Sequence, residues 1–289
     1  MKEITRTRRY ELAWCVDGDF PLGVQLTDMP CDHALHSHDF VEIALVESGS
    51  AVHTTRNTRR PVSTGDVVVI PKGVRHGYEE VRNFMLKNVT FDLSLLDSVH
   101  SDLRHLPGFH ALFLLPRGDR ASSPHYEFSA LEPGEMAYLG RLVGKMKDEL
   151  SAKAPGYKTV CLAALLELAA FLSRKEFGKD SGGEHNLDKV LGHMERSHGR
   201  KITVKELAKI AGCSERSFHR IFHKTTGKSP VDYLLGIRLS RSKRLLAGTA
   251  MSVAAIAEET GFMDGAYFAK QFKRGFGMSP TEFRKLLVG

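Results

Sequence analysis

Three imidazoles and a carboxylate, His36, His38, Glu42 and His76, combine residue types that could hold a divalent cation or a polyol. Imidazole nitrogen and carboxylate oxygen are a donor set for Zn²⁺, Ni²⁺ or Fe²⁺, with room left for water or a ligand. The same atoms donate to and accept from sugar hydroxyls, which makes these four residues the candidate effector site as well as the candidate metal site. Even spacing on extended backbone predicts His36, His38 and Glu42 on one face of a strand. A second chemistry stands near the carboxyl end, in Arg216, His219, Arg220 and His223 and again in Ala266, Ala269, Lys270 and Lys273. At 100° per residue these positions point away from, or flank, the apolar faces Phe218/Ile221/Phe222 and Phe268/Phe272. An outward arginine can donate two hydrogen bonds to guanine O6 and N7, and an alanine methyl can touch a thymine methyl. The first set is expected to discriminate bases more strongly than the second.

These residues need elements to carry them. From about Leu22 to Phe91 the chain reads as short strands at Phe40–Val46, Val67–Ile70 and Lys87–Phe91. Turn signals separate them at Glu47–Ser50, Ser63–Asp66 and Pro71–Gly73, a pattern of an antiparallel sandwich or barrel. After a Pro/Gly-marked stretch the period changes. Leu139, Leu142, Val143, Met146 and Leu150 mark one helix; Leu162, Leu165, Leu166, Ala169 and Leu172 mark a second. Their apolar stripes could cover the barrel or form a subunit contact.

An internal repeat organises the remainder. Leu207-Ala208 matches Ile256-Ala257 and Gly212 matches Gly261 at an offset of 49; after one inserted residue, Phe218, Phe222, Gly227 and Ser229-Pro230 match Phe268, Phe272, Gly277 and Ser279-Pro280. Each copy reads as helix, glycine turn, helix. Thr203 with Glu206 reads as a capping box, and Ser214 and Ser252 as further caps. Between the copies, Val231–Leu246 reads as a connecting helix of about 24 Å, able to hold two recognition helices near one DNA turn (~34 Å) apart.

Charge separates the same two parts. Residues 184–289 contain 19 Lys and Arg against 10 Asp and Glu, a net of +9, within a chain of net +7, so residues 1–183 carry −2. A basic tail on a near-neutral body points to a polyanion partner for the tail. No apolar run reaches the roughly 18 residues of a membrane span, and the first residues lack the apolar stretch of a secretory signal. The four scattered cysteines suit reduced thiols, and a cytoplasmic location is expected.

The motifs are specific enough to support family resemblances. Ile256-Ala257-x3-Gly261-Phe262, followed by Tyr267-Phe268-x3-Phe272-Lys273-x3-Gly277-Met278-Ser279-Pro280-x2-Phe283-Arg284, closely resembles the C-terminal signature of AraC/XylS-type transcriptional regulators. Phe283 stands where that family often has tyrosine. The resemblance spans about residues 187–287. It implies two recognition helices in successive major grooves, base contacts by Arg216, His219, Arg220, Ala266, Ala269 and Lys270, and activation through RNA polymerase. His36-x-His38-x3-Glu42-x6-Gly49 and Gly65-x5-Pro71-x-Gly73-x2-His76 resemble the two sequence boxes of the cupin superfamily, with Glu80 where an asparagine is expected. AraC-type regulators often carry such a barrel as effector domain. The run Leu106–Phe113 is similar to rhamnose-responsive members, which implies a sugar effector.

The sequence therefore predicts a multidomain protein: a cupin-like all-β barrel (about 20–95) with two following helices (about 135–174) in residues 1–178, and a linker at 179–186. An all-α domain at 187–289 would follow, with helix-turn-helix units near 203–224 and 252–274. The function expected is that of an effector-responsive DNA-binding transcriptional regulator, an activator and homodimer, binding double-stranded DNA and requiring no cofactor. A metal-dependent cupin isomerase or dioxygenase fused to a DNA-binding domain is the competing reading.

Overall fold

The computed structural model of the chain describes residues 8–16, 19–56, 58–96, 102–114, 127–128, 131–177 and 187–288. Contacts divide the chain into two compact units, residues 1–96 with 108–181, and residues 97–107 with 182–289. The linker expected at 179–186 lies outside the described residues.

In the first unit, β1 (Arg8–Tyr10), β2 (Leu22–Met29), β3 (His33–His38), β4 (Val41–Thr55), β5 (Arg59–Ser63), β6 (Val67–Ile70), β7 (His76–Phe91) and β8 (Glu127–Phe128) form one sheet. The two long strands β4 and β7 are its spine. They pair antiparallel from Val41↔Phe91 to Thr55↔His76. β6 and β5 pair with the two halves of β4, while β2 and β3 pair with the two ends of β7. Ala44, Val46, Ala51, Val62, Val68, Ile70, Tyr78, Phe84 and Leu86 close one core between them.

The strands are longer than the sequence reading allows, for a local reason. Glu47–Ser50 reads as a turn, yet β4 runs through it and absorbs the irregularity as register shifts between Val46 and Val52. Gly49 makes this passage at φ +79°; a Cβ there would stand 2.1 Å from the Asn83 carbonyl oxygen. Only glycine fits, so its presence marks a bulge rather than a reversal.

A single turn α1 (Pro107–Phe109) precedes two long helices, α2 (Pro133–Ala152) and α3 (Tyr157–Phe177). Glu132 and Glu135 make a reciprocal capping box at the start of α2. Leu139, Leu142, Val143 and Met146 are buried, and α2 packs on α3 and β2. Part of the apolar surface that the sequence left unassigned thus covers the sheet, while Leu162 and Leu166 of α3 stay partly exposed.

The second unit is helical: α4 (Leu187–Ser197), α5 (Val204–Ala211), α6 (Glu215–Thr226), α7 (Pro230–Gly248), α8 (Val253–Glu259), α9 (Gly265–Phe276) and α10 (Pro280–Val288). Ser214, Ser229 and Ser252 each accept a backbone N–H of their helix's first turn, as the capping rule requires. Gly212, Gly227 and Gly277 end α5, α6 and α9 in the left-handed conformation. The capping box at Thr203 is only half made. Thr203 accepts the Glu206 N–H, but the Glu206 carboxylate turns to Arg200 and His193. A guanidinium and an imidazole together outcompete one backbone N–H for a carboxylate.

Candidate effector site and nucleic-acid interface

In the helical unit, α5–α6 and α8–α9 are two helix-turn-helix units joined by α7. Phe218, Ile221 and Phe222 bury one face of α6, and Phe268 and Phe272 bury the matching face of α9. The opposite faces are open. Arg216, His219, Arg220 and His223 are exposed on α6; Ala266, Lys270 and Lys273 are exposed on α9, with Ala269 partly covered. Geometry therefore presents the expected side chains outward, and adds two residues that helical counting passed over. Met263, in the turn before α9, is fully exposed, and Tyr267 is 48% exposed.

The connector is held in place. Arg238 of α7 donates to the carbonyls of His198 and Arg200 at 2.9 Å each. Gly261 passes close to that arginine and to the His198 carbonyl at φ +83°, where any Cβ would collide. Nineteen residues of α7 span about 28 Å, near the spacing that two successive major grooves demand.

In the sheet unit, His38, Glu42 and His76 come together. One ligand atom from each lies within 4.8 Å of the others, and all three residues are buried. They do not share a strand, as even spacing predicts. His36 and His38 close β3, the chain bends at Asp39-Phe40, and Glu42 opens β4. His76 enters from the start of β7. His36 stands beside the cluster, its ring 4.2 Å from that of His76.

The imidazoles are oriented by one device. Nδ1 of His38 is 2.7 Å from the Phe40 carbonyl, Nδ1 of His36 is 3.1 Å from Ala34, and Nδ1 of His76 is 3.4 Å from Val74. A carbonyl only accepts, so in each pair the Nδ1–H donates. In the neutral ring this leaves Nε2 as a lone pair. For His38 that nitrogen is buried without a hydrogen-bond partner, 3.3 Å from Glu42 Oε2. His76 Nε2 is 4.0 Å from the same oxygen. Burial favours the neutral forms of His36 and His76: it lowers the His36 pKa to about 4, and it lowers that of His76 with help from His36, His38 and His53.

His53 is the residue that sequence reasoning missed. Its ring lies 5.7 Å from that of His76 and 5.2 Å from that of Tyr78. Counting by twos from Glu42 assigns it to the other face, and the register shifts in β4 reverse that assignment. Glu80, the departure from the second box, leaves the cluster altogether. It takes φ +55° and pairs with Arg59 at 3.0 Å on the surface.

Comparison with known proteins accounts for both units. Residues 30–158 match the model of the AraC-like ligand binding domain, and residues 207–286 match that of a helix-turn-helix domain. The chain belongs to the AraC family of transcriptional regulators. The HTH-type transcriptional activator RhaR of Escherichia coli strain K12 is 26% identical over 257 residues, covering 88% of this chain and 87% of that one. The RhaR of Shigella flexneri matches with the same figures. An apo ToxT structure from Vibrio cholerae covers 94% of this chain and 99% of its own, at 15% identity and a TM-score of 0.37. As an AraC-family member the chain has DNA as the partner of its two helix-turn-helix units and a ligand-binding domain in its sheet. Among the described residues no helix is long and apolar enough to cross a membrane, and the four cysteines are free.

Proposed function

We propose that this protein is an effector-responsive transcriptional activator, working as a cytoplasmic homodimer. The observation that carries the reading is the pair of recognition helices, each capped, buried on one face and open on the other, on one pinned connector. The effector is a small polyhydroxylated molecule, taken up where His36, His38, Glu42 and His76 converge with His53. Hydroxyl groups suit a site where lone pairs of His38 and Glu42 face one another, because each hydroxyl brings a proton to share. To act as a signal, the effector must bind one arrangement of the protein better than another. The partly exposed Leu162 and Leu166 of α3, four residues apart, offer an apolar stripe for a second copy. Activation proceeds through contact with RNA polymerase. The relatives it resembles are named activators, which favours a sensor over a cupin enzyme.

The test uses duplexes selected by the full-length chain from a randomised library. Binding should weaken steeply with salt, as phosphate contacts require. Joint charge reversal at Arg216, Arg220 and Lys270 should abolish it. Unaltered binding by that variant would overturn the reading.

One observation favours a second reading of the barrel, with a resident divalent cation. The donor set fits: His38 Nε2, His76 Nε2 and a Glu42 oxygen converge, and backbone carbonyls accept from the Nδ1–H of each ring and so aim its Nε2 at the cluster, as the outer hydrogen-bond partners of metal-bound imidazoles do. Zn²⁺, Ni²⁺ or Fe²⁺ would be held by these three, with His36 adjacent, and would supply a Lewis acid to bind an effector oxygen. Elemental analysis of protein prepared without chelator should then give one ion per chain, lost in His76→Ala. Substoichiometric metal, unchanged by that substitution, would remove the cation and leave the hydroxyl-binding reading.

A further inference from the structure

The turn before α9 and its first turn leave apolar surface open to solvent, although the Tyr267 ring also leans on Phe262 at 6.3 Å between centroids. Met263 is fully exposed, Ala266 is exposed, and Tyr267 is 48% exposed. Two of the six large hydrophobic side chains that are exposed among the described residues thus lie four positions apart on one tip. A hydrophobic residue just before an N-cap commonly packs against the fourth helical residue. Here Asp264 is the cap and Phe268 that fourth residue. Phe268 is instead covered by Phe262, the residue inserted in this copy of the repeat, at 4.9 Å between ring centroids. The insertion takes over the packing and leaves Met263 pointing into solvent. The first unit differs at each position. Cys213, Arg216 and Ser217 stand where Met263, Ala266 and Tyr267 do, and Ser217 is bound to the cap Ser214.

The amino-terminal residues of a recognition helix are those that meet base edges, and the thymine C5 methyl is the apolar feature of the major groove. We infer that Met263, with Ala266 and Tyr267, forms a thymine-methyl reader that sets the sequence preference of the second unit. The inference rests on the DNA-binding reading above and adds a specificity determinant to it. Met263 packs its thioether on the methyl, Tyr267 walls the contact, and Ala266 lets the backbone approach. Thymine is thereby preferred over cytosine at that position without a hydrogen bond to the base.

The experiment replaces each thymine by deoxyuridine, which removes the methyl and nothing else. The probe is again the duplex set selected by the full-length protein from a randomised library. One or two substitutions under the second unit should weaken binding about fourfold each, the loss expected for one buried methyl-sized group. Met263→Ala and Met263→Gln should bind thymine and deoxyuridine duplexes equally at those positions. Libraries reselected with either variant should lose the thymine preference there. Met263 is wholly exposed, so these variants fold. Insensitivity to deoxyuridine, or the same sensitivity in Met263→Ala, would overturn the inference while salt-dependent binding kept the DNA-binding reading intact. Lower transcription by Met263→Ala with unchanged DNA selectivity would also overturn it, by assigning the tip to a protein contact. Failure of the whole chain to bind any duplex would bring down both.

Discussion

The two helix-turn-helix units share a frame and differ at their tips. Gly212 and Gly261 take positive φ at equivalent turns, and Phe218/Phe222 and Phe268/Phe272 fill equivalent places at 5.3 and 5.7 Å between rings. Outside that frame the surfaces diverge: α6 presents Arg216, His219, Arg220 and His223, while α9 presents Ala266, Lys270 and Lys273 beside Met263. Packing and capping constrain the buried half of each helix, because a wrong residue there costs several kcal/mol. The outer half is exposed and carries no such packing load. Duplication therefore preserved the scaffold and left each reading head free to acquire its own chemistry.

The comparison is broken most severely through the cores. Phe272→Ala should cost about 3–5 kcal/mol of unfolding free energy in urea, the range for a buried phenylalanine. Phe222→Ala should fall toward the lower end. Besides Phe268, the Phe272 ring meets those of Phe276 and Phe283, tilted and edge-on at 4.6 and 5.8 Å, whereas Phe222 has Phe218 and Tyr233. Equal losses would show that the third aromatic neighbour adds nothing.

The reading heads come next. Arg216→Ala should cost about 1–3 kcal/mol of binding and relax selectivity at one base pair, as for a bidentate guanine contact. Lys273→Ala should weaken all duplexes alike and lower the salt slope by about one. Base substitution across the selected duplexes checks both, and a selectivity change from Lys273→Ala would reverse the assignment. The caps should be equivalent: Ser214→Ala and Asp264→Ala each remove an acceptor for a first-turn N–H and should cost about 1 kcal/mol in thermal unfolding.

The smallest effect separates the units by acid. Glu206 of the first unit binds Arg200 and His193, which holds its pKa down to about 2; Ala255 occupies the matching place in the second. The unfolded carboxylate titrates near 4.5, so the unfolded chain takes up the proton first as pH falls. This contribution is complete above about pH 4.5 and is lost as pH drops toward 2. The groups are partly solvated, so the loss is a fraction of a kcal/mol. Glu206→Gln should flatten that part of the acid-stability curve. An unchanged slope would dismiss the pair as a stabilising contact.

Much of this protein is legible in its residues because the relevant rules are local. Serine and threonine caps, glycines that accept positive φ, and a 3.6-residue apolar period act within a few positions, so the repeat and both recognition helices could be placed from spacing. The two histidine-bearing boxes are local in the same way, each confined to a few turns of chain. What the residues did not disclose depends on contacts distant in sequence. Asn83 makes Gly49 a bulge rather than a turn, and that bulge carries His53 to the side of His76. Phe262, by covering Phe268, frees Met263. Residue order alone places the helices of the repeat and their buried faces, since the 3.6-residue period is a property of neighbouring residues. The folded arrangement chooses which side chains from separate strands share one enclosure and which apolar residue stays in water. Both outcomes are set by register and packing between segments, which no local period encodes.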